Sequence, residues 1–353
     1  MTNKNITISI VKGLAIILVV YGHVIQRSMV PFNEDFFLNP AFKTIYAFHM
    51  PLFVFLSGWV MAYSLSRRSL FSAFKARFNT LMIPFITWGL LSAVLIFVVN
   101  IIETESSGLK AFAMSLAYEL YLRPTLWILV TLFASSCMLL YSIRLSKRFG
   151  KISFLFIYFL VLVIPYNDYG SLFYIKWLYP FYMAGYFISK NDIHVSGWLS
   201  RLAVLAISSA AFVFLASYWV KTDYIYIHQM HFMMESWLSD VLRMAYRYVL
   251  AFLGITVVFC ISVYLSKTGL KHVLDILGIY SLDIYLIQRF VVEGIYPRLV
   301  GRMNIKFDFS APLFLYVIAP LVVVLCVALC MFISNALIRR NYFLNKLLLG
   351  GRA

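Results

Sequence analysis

Long apolar runs recur along almost the whole 353-residue chain, with too little charge between them to coat a water-soluble fold. Charged residues make up 12% of the chain and apolar ones 63%, where a soluble domain carries about 25% charged residues. A protein this size in water needs a polar shell, and 30 basic plus 14 acidic side chains cannot make one. Disordered and soluble globular classes are therefore set aside, and the bilayer is the solvent for most of the chain. The expected fold class is all-α, a polytopic integral membrane protein. A spanning helix needs roughly 20 mostly apolar residues. Ten stretches read as spans: 6–26, 42–65, 79–102, 125–143, 152–166, 171–189, 199–219, 243–265, 276–296 and 312–334. The fifth is short and ends at Pro165. Residues 109–122 are amphipathic and read as an interfacial helix before the fourth span. No small-residue cleavage site follows the first span, so it reads as a retained helix rather than a signal peptide.

The basic residues alternate between loops. Lys4, then Arg67, Arg68, Lys75 and Arg77, then Arg144, Lys147, Arg148 and Lys151 fall on one side of the expected topology. Lys190, Arg201, Lys267, Lys271, Arg339, Arg340, Lys346 and Arg352 continue the series, with only Asp192 and Asp275 beside them. The positive-inside rule then places both termini in the cytoplasm. The formal net charge of +16 is accounted for by topology and by contact with anionic membrane lipids, and no nucleic-acid partner is expected. No internal repeat or low-complexity linker appears. The chain reads as one membrane-embedded domain with a short cytoplasmic tail from about residue 335. Residues 220–242, rich in aromatics, Met and His, read as a cap on the outer face.

Ionisable residues inside spans are costly and mark functional sites. The first span holds Lys12 and His23. Eleven residues at 100° each bring them onto one helical face, separated by a rise of roughly 16 Å. Lys12 then sits near the cytoplasmic end and His23 beyond the midplane. Gly13 and Gly22 leave room close to the backbone at both levels. The simpler readings are a snorkelling anchor for Lys12 and a helix-packing hydrogen bond for His23. His49 lies at the outer end of the second span, just before Pro51. Glu119 and Arg123 are four apart and can pair on one helical face. Arg123 offers a guanidinium to an anionic group, and Trp127 belongs to the aromatic belt or lines the site. Asp283 lies mid-span and needs a partner, with Tyr285 and Gln288 nearby. Arg289 and Glu293, four apart, read as lying nearer the outer surface.

No metal site is expected. Cys326 and Cys330 share a helix face but have no other ligands, and His228 with His231 lacks a third. The four cysteines, Cys137 and Cys260 included, fall in apolar runs and suggest no disulfide framework. There is no P-loop, dinucleotide turn or nucleophile elbow.

Taken in order, these segments resemble the integral-membrane acyltransferase family 3. Lys12–His23 is similar to the family's Arg/Lys-x10-His signature, and FHMPLFVFLSG at 48–58 to its second signature. LWILVTLF (126–133), LYPFYMAGYFI (178–188) and LGIYSLDIYLIQ (277–288) also fit. The Lys form of the first motif most resembles the bacterial subset that acetylates polysaccharides or lipid-linked sugars. Two positions depart from that subset: Ser9 stands where an acid is common, and Gln288 where a His is common.

The resemblance implies a multi-pass enzyme of the cell inner (plasma) membrane. It would move acetyl from cytoplasmic acetyl-CoA to a hydroxyl of a cell-surface or lipid-linked sugar. Lys12 would neutralise a CoA phosphate, with the pantetheine arm running past Gly13 to Gly22. His23 would act as general base or carry the acetyl group, with Asp283 or Glu119 orienting the ring. His49, Arg123 and Trp127 would line the acceptor side, and Tyr285 or Gln288 would stabilise the oxyanion. The competing classes are a transporter or flippase for a glycan or lipid-linked precursor, and a receptor or scaffold. Against the transporter stands the absence of paired broken helices in two halves. Against the scaffold stands the cost of burying Lys12, His23 and Asp283.

Overall fold

Residues 3–104, 108–122, 126–163, 174–191, 196–225, 237–303 and 308–351 are described by a computed structural model. Among these residues every regular element is helical. Helix occupies each of the ten stretches expected to span. Among the described residues six helices are long and apolar enough to cross a bilayer: Ile6–Phe32, Pro40–Leu65, Leu70–Val99, Trp127–Phe149, Trp237–Leu265 and Phe314–Ile338. Two more, Ile152–Leu162 and Leu202–Ser217, are apolar but shorter. At 1.5 Å per residue the described parts reach roughly 16 and 24 Å, less than the ~30 Å hydrocarbon core. Tyr174–Lys190 has 17 residues and carries Pro180 inside it. The ninth stretch is not one rod. Lys271–Ile279 ends at Tyr280, Ser281–Phe290 follows, and a π-helical turn at Val291–Ile295 leads into Tyr296–Met303.

The chain divides into two compact units, each made of separated stretches: Met1–Leu56 with Asn191–Leu337, and Ser57–Lys190 with Ile338–Ala353. This interleaving explains why no linker is visible in the sequence.

In the first unit the helix Asn3–Met29 is central. It packs against Lys271–Ile279, Trp237–Leu265, Ser281–Phe290 and Ala319–Ile333. Ile10, Val11, Ala15, Ile16, Val19, Val20, Val24 and Ile25 are buried along it. Lipid offers apolar side chains as much as another helix does, so close packing of small residues decides which helices meet. A Cβ on Gly13 would strike the carbonyl of Leu274, and one on Gly278 would strike the carbonyl of Ser9. Each glycine thus admits the other helix's backbone. Ser9 Oγ adds a hydrogen bond to the Asp275 carbonyl at 3.1 Å.

The second segment of this unit begins where the Asn39 side chain accepts from the Ala41 and Phe42 amides and starts the helix Pro40–Tyr46. The chain breaks at Ala47 and Phe48, and a new helix, His49–Leu65, takes over. Of the expected outer cap, residues 226–236 lie outside the described part and 237–242 belong to the helix Trp237–Leu265. Its first residues do clasp the 35–42 segment. Lys221 Nζ pairs with Asp35 at 2.5 Å, and the Tyr224 hydroxyl donates to the Phe37 carbonyl at 3.1 Å. Buried Arg247 donates to the Thr222 carbonyl at 2.6 Å and secures the clasp from below.

In the second unit Gly58 lies against the Tyr182 carbonyl, another glycine-to-backbone contact. The Ser136 and Tyr182 hydroxyls share a hydrogen bond of 2.8 Å, and Arg77 donates to the Ser57 carbonyl at 3.0 Å. Residues 336–351, expected as a short tail, are largely helical. The helix Phe314–Ile338 continues past residue 335, and Tyr342–Leu349 forms a further helix started by the Asn341 side chain. Trp88 Nε1 donates to the Leu348 carbonyl at 2.8 Å. Gly350, at φ +75°, ends the helix in a left-handed conformation against Asn79 and Thr80. The docking follows from composition: a short amphipathic helix gains by covering a neighbour.

Candidate active site

His23 lies six residues before the end of the first helix, and its side chain is 15% exposed. Nδ1 lies 2.9 Å from Gln288 Oε1 and 3.5 Å from Glu293 Oε1. Gln288 Nε2 in turn donates to Glu293 Oε1 at 3.3 Å. The other carboxylate oxygen of Glu293 accepts from Arg27 at 3.0 Å and faces Arg289 at 3.7 Å. No described residue hydrogen-bonds His23 Nε2. A carboxylate held by two guanidiniums is thus placed behind an imidazole whose second nitrogen takes no hydrogen bond from the described residues.

The π-helical turn creates this arrangement. On an α-helix Gln288 and Glu293 would be about 500° apart, roughly 140° away from a shared face. The wider turn at Val291–Ile295 slows that rotation and brings the two side chains together, as such bulges often do at functional sites. Sequence spacing on an α-helical wheel pairs Glu293 only with Arg289, so Glu293 is missed. The signal that finds it is a largely covered acid close to two arginines and a candidate base, and only the structure brings these together.

Gly22 faces the Tyr46 ring: a Cβ there would lie 2.7 Å from Tyr46 Cε2. Tyr46 stacks on Phe42 with ring centres 3.7 Å apart and reaches His49 at 4.3 Å. His49 is 1% exposed, and its Nδ1 donates to the Ile45 carbonyl at 2.9 Å. It lies within electrostatic range of His23. Tyr285 is buried and within range of Glu293, Arg289 and Tyr46. His23, Gln288, Glu293, Arg27, Arg289, Tyr46, His49 and Tyr285 therefore form one neighbourhood in the first unit.

Several expected roles change. Asp283 does not orient the imidazole: fully buried, it accepts from Ser334 Oγ at 2.7 Å, and Gln288 occupies the position beside the ring. The Gln288 amide is engaged at both ends, its oxygen toward His23 Nδ1 and its nitrogen toward Glu293. The space beside Gly13 is filled by the helix Lys271–Ile279, and that beside Gly22 by Tyr46. Both glycines serve helix contact. Lys12 is half-buried on the same helix, about three turns toward the N-terminus from His23.

Glu119 and Trp127 belong to the second unit. Glu119 is buried on a π-helical turn, Tyr118–Leu122, and Trp127 opens its helix against the Tyr174 ring at 4.2 Å. Arg123, and with it the expected pairing to Glu119, lies outside the described residues. So do His228 and His231.

Comparison with known proteins gives the class to which these helices belong. A family model for an acyltransferase domain matches residues 5–331. The chain belongs to this family, acyltransferase family 3. Among curated proteins, nodulation protein NolL of Sinorhizobium fredii is 43% identical over 86 residues, covering 24% of each chain. Nodulation protein NolL of Mesorhizobium japonicum is 27% identical over 234 residues, 64% of this chain and 59% of that protein. The matches thus span less than two thirds of either relative's length. No solved structure matches.

Proposed function

We propose that this protein is a membrane-bound O-acetyltransferase that moves acetyl from cytoplasmic acetyl-CoA to a hydroxyl of a cell-surface or lipid-linked sugar. The observation that carries the reading is His23: an imidazole within the first apolar helix, held at Nδ1 by Gln288 with Glu293 behind it. Membership of the acyltransferase family and the likeness to NolL support the reaction class. Ten spans with both termini in the cytoplasm of the inner membrane complete the proposed topology.

The acceptor hydroxyl approaches Nε2, which takes its proton as the oxygen attacks the thioester carbonyl. The carbon–sulfur bond then breaks, and the departing CoA sulfur takes that proton from the imidazolium. Ester and free thiol are the products. Lys12, roughly 16 Å along the helix from His23, is suited to a CoA phosphate nearer the cytoplasm. Tyr285 is the donor available to the oxyanion, and His49 lines the acceptor side.

Membranes carrying the protein, supplied with labelled acetyl-CoA, test the assignment. His23→Ala protein that inserts in normal amounts should lose transfer by about 10²–10⁴-fold. Transfer at the wild-type rate by that variant would refute the role of His23.

A further inference from the structure

The contacts around His23 also determine which of its nitrogens carries the proton. Hydrogen positions follow from the donors and acceptors that face each other. Arginine only donates and a carboxylate only accepts. Arg27 and Arg289 both face Glu293 Oε2, so the carboxylate is held ionised and in one orientation. Its Oε1 must then receive a proton from Gln288 Nε2, 3.3 Å away. That sets the Gln288 amide with its oxygen toward His23 Nδ1, at 2.9 Å. Nδ1 faces this oxygen and Glu293 Oε1 at 3.5 Å, two acceptors and no donor. A proton must sit on Nδ1, and the lone pair of the neutral ring must sit on Nε2. Burial makes the relay stiff: Gln288 is 1% exposed and the Glu293 side chain 10%. The other titratable or charged groups around the ring are His49 and Tyr46 from the second segment and Tyr285 beside Gln288. His49 Nδ1 is turned to its own backbone, at Ile45.

We propose that Glu293 is a positioning residue: through the Gln288 amide it fixes His23 as the Nδ1–H tautomer and leaves Nε2 free to accept a proton. The catalytic consequence rests on the reading of His23 as the base; the tautomer does not.

The test uses the full-length chain, labelled with 15N-histidine, in detergent micelles. The His23 signals are identified by their loss in His23→Ala. The wild type should show, in the neutral ring, a protonated Nδ1 and an unprotonated Nε2. In Glu293→Gln the two arginines hold the new carboxamide oxygen, so its NH2 points at Gln288 and His23. The Gln288 amide turns over, and the proton moves to Nε2. A wild-type ring protonated on Nε2 overturns the proposal, as does a Glu293→Gln protein that keeps the Nδ1–H form. Where Glu293→Gln does not fold, the wild-type spectrum alone decides. Acetyl transfer is measured in parallel. With a His23-dependent wild type, Glu293→Gln should lower kcat about tenfold or more and leave KM for acetyl-CoA unchanged. Wild-type kcat in that variant overturns the proposal. A wild type that shows the expected tautomer but transfers no acetyl sinks the enzyme assignment and leaves the relay standing.

Discussion

The two ends of the contact between the first helix and the 271–303 segment are built on opposite principles. Around Gly13 and Gly278 the contact is tight, and backbone approaches backbone with only the small Ser9 side chain beside it. Around His23 the same two stretches of chain are joined by side chains, Gln288 and Glu293. The first end fixes the distance between the helices. The second uses that fixed distance to hold a hydrogen-bonded relay within about half an ångström, which preorganised sites require. A lipid-facing helix pair gains little from apolar area alone, so a glycine contact is how a membrane protein obtains such rigidity.

Substitutions at the two ends should therefore fail differently. The loss of transfer in His23→Ala is the largest effect expected, far beyond the roughly 1 kcal/mol of stability that the unpaired Gln288 amide should cost. Gly278→Ala comes next. Its Cβ meets the Ser9 carbonyl, which cannot move without the whole helix, and about 1–3 kcal/mol of stability should be lost. The unfolding midpoint in detergent reads this, and an unchanged midpoint would show that the helices separate freely. Ser334→Ala removes the donor to Asp283 and should cost about 1 kcal/mol, with little change in kcat. A large loss of activity there would return Asp283 to the catalytic machinery. Gly22→Ala should cost least, about 1 kcal/mol at most, because the obstacle is the edge of the Tyr46 ring rather than a backbone. Its effect should appear in the acceptor KM, through the displaced ring, more than in stability.

Much of this protein is legible in its sequence. The scarcity of charge assigns the bilayer as solvent, and apolar runs locate helices, because both follow from composition over a local window. Lys12 and His23 fall on one face of one unbroken helix, so the α-helical period suffices to relate them. Glu293 is hidden because its place depends on a π-helical turn, and a regular period points it away from Gln288. Asp283 shows that a partner is needed but not which one, since Ser334 lies 51 residues on. Gly13 is recognisable as a place of close approach. That a helix more than 250 residues away fills it, rather than a ligand, is settled only when the chain has folded. Residue types and local periods thus determined the solvent, the helices and the candidate base. Which acid stands behind that base was decided by tertiary structure, because hydrogen bonds need atoms within about 3 Å, and one extra residue in a turn moves a side chain farther than that.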